Sequence, residues 1–172
     1  MVLHLRGDEM NPLVLILVLT FAGILAQGGG TPRPAPKWKQ IRLMDSTRTD
    51  VEKLMGPAKY RGYSTWYKVE DGVLHIEYYP YTSCAQTGAD LRVRQWTVVE
   101  ITFEPDNPVK LADLNLDLKK FRLVKESPDV PDLLSYLNEE DGVDYTFDTN
   151  DDTLNNVRYF PGKRYDRLRC KK

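Results

Sequence analysis

Histidine and cysteine are scarce in this chain, with two of each among 172 residues. His4 precedes an apolar run, so His75 is the one histidine of everything after it. Cys84, Cys170 and His75 cannot fill a tetrahedral zinc site unless carboxylates join them, and no metal centre is expected. No phosphate-cradling glycine loop is present, because Gly28-Gly29-Gly30 leads only into a proline-rich stretch. No serine or cysteine stands in a nucleophile-elbow pattern. An excess of one charge is also missing. The formal net charge is −1, and setting aside Arg6, Asp8 and Glu9 leaves 23 basic and 23 acidic side chains. That balance argues against nucleic acid as a partner.

Long apolar runs are limited to one, residues 13–26, whose 14 residues fall short of the roughly 20 that span a bilayer as a helix. This is the length of a signal-peptide core. Its flank is atypical, with Arg6 set against Asp8 and Glu9, unless translation starts at Met10. Cleavage is expected after Ala26 or Gly28, and an uncleaved segment would be the protein's one route to a membrane. The organisation read from these features is a signal peptide at 1–27, a Gly/Pro linker at 28–37 and a single α+β domain at 38–172. The destination is periplasmic or secreted.

In an exported protein an even cysteine count reads first as a disulfide. Cys84 and Cys170 allow one pairing, which ties the end of the chain to its middle. Charge is segregated along the domain. Residues 126–152 carry ten acidic side chains and no Lys or Arg, whereas residues 163–172 carry six basic ones and one Asp. Two solvated surfaces of opposite sign are the plain reading, and a calcium- or polyanion-binding surface the sharper one.

The clearest helix runs from Ser46-Thr47 to Gly56-Pro57. Ser46 or Thr47 can cap it, Asp50 stands where a capping box needs an acid, and Val51, Leu54 and Met55 share one face. Beyond it the period changes to two. Leu74, Ile76 and Tyr78 alternate with His75 and Glu77; Val99, Ile101 and Phe103 point inward together; Val143, Tyr145 and Phe147 alternate with a wet face of Asp144, Thr146 and Asp148. Such alternation belongs to antiparallel sheets covered on one side.

Hairpin turns are expected at Glu70-Asp71-Gly72 and Glu139-Glu140-Asp141-Gly142. The two turns begin a weak internal repeat. Ile76-Glu77-Tyr78-Tyr79-Pro80 recurs as Val157-Arg158-Tyr159-Phe160-Pro161, and each copy then runs on to a cysteine. An extra hairpin turning near 148–152 accounts for the longer second copy. The fold class read from these patterns is α+β: an antiparallel sheet with one or two helices on one face, whose halves (38–105 and 106–172) are either two related α/β-hairpin units or hairpins alike by chance.

Trp38-x-x-Ile41, Ser46-Thr47-Arg48-x-Asp50-Val51-Glu52-x-Leu54-x-Gly56-Pro57 and the ending Leu168-Arg169-Cys170 resemble a group of uncharacterised exported bacterial proteins. More distantly, the helix, its Gly-Pro stop and the following strands resemble the outer-membrane assembly lipoproteins (SmpA/OmlA type) and the β-lactamase-inhibitor-like fold. The chain lacks the lipidated cysteine of those lipoproteins. Neither resemblance implies a catalytic residue or a cofactor.

Four residues stand out as a contact surface: His75 and Glu77 on the wetter strand face, with Tyr79 and Tyr81 opposite Tyr78. His75 and Glu77 have the chemistry of a base and its orienting group, but also of an ordinary surface pair. Asp148-Thr149-Asn150-Asp151-Asp152 begins like a calcium loop and then fails, with Thr153 in place of glycine and Tyr159 in place of the bidentate glutamate. The functional expectation is a non-catalytic envelope or secreted protein that binds another protein or a glycan. The alternative is a small hydrolase acting on envelope polymers through paired carboxylates.

Overall fold

The computed structural model describes residues 35–86, 88–125 and 132–171. The apolar run at 13–26, with its cleavage positions and most of the linker, lies outside them, as does the start of the acidic stretch. Pro36–Lys172 forms one compact unit.

Helix α1 spans Arg48–Met55 and is started by Thr47 rather than Ser46. The Thr47 amide and hydroxyl both donate to Asp50 Oδ2, at 2.9 and 2.7 Å, and the Asp50 amide donates back to Thr47 Oγ1 at 3.4 Å. These bonds stabilise the ionised carboxylate and hold the Asp50 pKa below its usual value. Gly56, at a φ of 93°, ends the helix. At eight residues α1 is too short to persist alone, and the burial of Val51 in the core holds it.

Seven strands follow: β1 (Ser64–Val69), β2 (Gly72–Tyr78), β3 (Val98–Pro105), β4 (Arg122–Lys125), β5 (Leu133–Asn138), β6 (Val143–Asp148) and β7 (Thr153–Tyr159). They form one antiparallel sheet in the order β1-β2-β3-β7-β6-β5-β4. The expected turns connect β1 to β2 and β5 to β6, and the extra hairpin near 148–152 connects β6 to β7. Asp148 and Asp151 accept from the amides of Asn150 and Thr153 in that last turn, so their oxygens serve the backbone. Among the described residues no group of His, Cys, Asp and Glu is placed to hold a metal ion. Nor is any helix among them long and apolar enough to cross a membrane.

One face of the sheet carries Tyr67, Leu74, Ile76, Tyr78 and Ile101 into a core shared with Trp38, Ile41 and Val51. Tyr159 packs both against this cluster and against a second one around Phe147, Leu154 and Val157. The apolar layer therefore runs through the β3–β7 junction. Two sequence-based expectations need correction here. Val99 does not join Ile101: a bulge opposite Glu77 and Tyr78 pairs Tyr78 with Val98 and turns Val99 out of phase. Val98 is buried in its place, and Val99 packs beside Tyr79, Met44 and Leu91. The expected wet face of β6 is not wet, since Asp144 and Thr146 are both buried. Neighbouring strands supply partners, Arg158 for Asp144 Oδ2 at 3.0 Å and the Ser135 hydroxyl for Thr146 at 2.9 Å, while Asp144 Oδ1 is buried without a hydrogen bond.

β2 and β7 both run antiparallel to β3, so they leave the sheet at the same end. Their continuations meet there in the disulfide between Cys84 and Cys170, 86 residues apart. The two segments also pair through backbone. Cys170 N donates to Asp90 O at 2.8 Å, Arg92 N donates to Leu168 O at 2.6 Å, and Leu91 bridges Arg169. The short 3-10 helix Lys163–Leu168 is thus fixed at both ends, by this ladder and by the Lys163 amide donating to Glu139 O at 3.1 Å.

Candidate functional site

A cavity of about 780 Å³ lies between the segment 38–45, the β3–β7 junction at Ile101 and Tyr159, and the Lys163–Leu168 helix. This is within the size range of small-molecule sites, roughly 300–1,000 Å³. Its two walls are joined where the Tyr165 hydroxyl donates to Leu43 O at 3.3 Å. The floor is apolar: Trp38, stacked on Phe103 at 5.2 Å, lies beside Ile41, Met44 and Ile101.

The sequence of the 3-10 wall explains its two-sided character. Three residues per turn align Tyr165 with Leu168, and Arg164 with Arg167. Tyr165 and Leu168 both pack on the cluster of Met44, Tyr79 and Leu91. Arg164 and Arg167 line the cavity from the same helix, and Lys39 and Arg42 line it from the facing segment. Among the described residues Asp45 is the one carboxylate of the lining, 3.6 Å from Arg42. Arg164 lies over the Tyr165 ring at 5.0 Å. Among the described residues neither Arg164 nor Arg167 has a carboxylate partner.

The four residues of the expected contact surface separate. Tyr79 is 4 % exposed and belongs to the core. Its hydroxyl accepts from the amides of Asp90 and Leu91, at 2.9 and 2.8 Å, and so braces the loop that carries the disulfide. β2 ends at Tyr78, and the alternation that would turn the Tyr79 side chain to solvent ends with it. Tyr81 is half-buried and meets Tyr79 edge to face at 5.3 Å. His75 and Glu77 do share the second face of the sheet, but the His75 ring stacks on Trp66 at 4.1 Å as a cross-strand packing pair. The exposed aromatics of this region are Tyr60, Tyr63 and Trp66. Tyr63, Ser64, Glu77 and Tyr81 border a smaller hollow of about 560 Å³.

That second face also brings two carboxylates together. Glu77 pairs directly with Glu100 across β2 and β3. Burial, and then the charge of Glu77, push the Glu100 pKa up, while Arg158 and a bond to the Thr102 side chain oppose them.

Sequence reading alone did not find the cavity, although it noted the basic ending that supplies one wall. The signal that was available is the phase of Arg164-Tyr165-x-Arg167-Leu168, which at three residues per turn sorts cations from apolar groups. The other wall comes from a segment some 120 residues earlier, and only the folded chain sets the two face to face. No family model, curated protein or solved structure matches the chain.

Proposed function

We propose that this is a non-catalytic binding protein of the envelope or secreted fraction, and that the cavity between residues 38–45 and 163–168 is where it holds a small molecule. The observation that carries the reading is the lining itself: an apolar floor under Lys39, Arg42, Arg164 and Arg167, suited to hold and orient a guest. The Cys84–Cys170 bond supports an oxidising location. Mass spectrometry under non-denaturing conditions, on protein isolated from its producing cell, tests the proposal. The wild type should carry a bound small molecule, or gain one from a mixed metabolite extract. Leu168→Arg, which puts a cation into the apolar wall, should not. Wild-type protein that stays empty in both experiments refutes the reading.

A second reading rests on Glu77 and Glu100. A carboxyl whose pKa is raised by burial, beside a more exposed carboxylate, is the arrangement a hydrolase uses for acid and base. Glu100→Gln and Glu77→Gln would each abolish cleavage of an envelope polymer if this pair were catalytic. Unchanged turnover in both variants would remove the hydrolase reading.

A further inference from the structure

We infer that the guest of the cavity is an anionic amphiphile, an apolar chain ending in a carboxylate or a phosphate monoester. This rests on the cavity being the binding site and names what that site selects. Among the floor side chains Trp38, Ile41, Met44 and Ile101, the one hydrogen-bonding group is the Trp38 indole N–H. A sugar or a peptide backbone placed there would leave most of its polar groups unsatisfied. A purely apolar guest would leave the cations of the rim unused.

Among the described residues, three of the four rim cations have no carboxylate in the lining to offset them, since Asp45 is paired with Arg42. Arg164 and Arg167 project from one side of the same short helix. Two planar guanidinium groups in that arrangement suit the oxygens of a carboxylate or a phosphate, which each can bind in a two-pronged manner. The rim is exposed, as Arg42 is 78 % accessible. The head group therefore keeps part of its hydration, and only the chain is taken out of water. A cationic amphiphile meets repulsion at the same rim. A polyanion such as nucleic acid would have to bury charge against an apolar floor.

Calorimetric titration with four ten-carbon probes below their micelle concentrations tests the inference. The protein is isolated without detergent and stripped of small molecules on a hydrophobic resin. Decanoate and decyl phosphate should bind, the tighter of the two identifying the head group. Decanol should bind about tenfold more weakly or less, and decyltrimethylammonium not measurably. Arg164→Glu/Arg167→Glu should weaken both anions about tenfold and leave decanol unchanged. Raising the salt concentration should weaken the anions alone. If that double variant loses its fold by circular dichroism, Lys39→Glu/Arg42→Glu makes the same test from the facing wall.

Decanol or decyltrimethylammonium binding as tightly as decanoate, with Leu168→Arg abolishing it, overturns the anionic preference and leaves the cavity as the site. Binding that survives Leu168→Arg moves the site elsewhere and overturns both. Failure of all four probes, with a different small molecule co-purifying, overturns the amphiphile alone.

Discussion

Glu100 on β3 pairs directly with Glu77 on β2. Along β3 it is one more polar residue of an alternating strand, yet it is half-buried and faces Glu77, Asp144, Arg158 and Thr102. Its raised pKa sets the sign of a stability effect. Below the ordinary glutamate range the carboxyl is protonated in both folded and unfolded chains, and nothing is lost. As pH rises through the raised value, the fold must surrender a proton from a buried site and is destabilised relative to the unfolded chain. Glu100→Gln should therefore raise the melting temperature at neutral pH, and the gain should fade below the ordinary glutamate pKa. A variant less stable than wild type at neutral pH would contradict this account. Tyr79 carries the complementary lesson. Its apolar ring and single hydroxyl suit a buried brace as well as an exposed platform, and only the two amides that converge on the hydroxyl distinguish them.

At the scale of elements, much of the fold is legible where local chemistry decides it. The Thr47–Asp50 capping box and the Gly56 stop delimit α1, the Asp-Gly turns lie where the apolar periods break, and Leu74, Ile76 and Tyr78 bury together. Legibility ends where one strand depends on its neighbour. The bulge that misplaces Val99 belongs to the pairing of β2 with β3, and the burial of Asp144 depends on Arg158 across from it. The repeated turns look alike in sequence yet are constrained by different neighbours. At Gly72 an added β-carbon would lie 2.1 Å from Glu104 O. At Gly142 the φ of 69° is itself left-handed, and a β-carbon would lie 2.0 Å from Phe160 O and 2.5 Å from Gly162 N. Gly142→Ala meets both strain and a backbone collision that no side-chain rotation relieves. It should cost about 2–4 kcal/mol in denaturant unfolding. Gly62→Ala, where the nearest atom is 3.9 Å away, should stay within about 0.5 kcal/mol of wild type. Equal losses in the two variants would mean that the close approach of the β5–β6 turn to the chain after β7 does not constrain the fold.

For the whole molecule, the disulfide joins stability to the cavity. The sheet brings β2 and β7 out on the same side, and the bond between Cys84 and Cys170 then locks the Lys163–Leu168 wall to the loop braced by Tyr79. Closing a loop of 86 residues lowers the entropy of the unfolded chain, an effect worth on the order of 4–5 kcal/mol for loops of this size in the chain-entropy model. The Cys84→Ser/Cys170→Ser variant should accordingly unfold at a markedly lower denaturant concentration. The same variant leaves the floor intact, because Trp38, Ile41 and Ile101 belong to the core around α1. It keeps the Tyr165–Leu43 bond but leaves the chain end beyond Leu168 held by its backbone pairing with residues 90–92 alone. Binding should consequently weaken at temperatures where far-UV circular dichroism still shows a fully folded sheet, because Arg164 and Arg167 lose their fixed place before β7 loses its own. Loss of binding only in step with global unfolding would show that the wall is held by its packing on Met44 and Leu91, and that the disulfide serves the unfolded state alone.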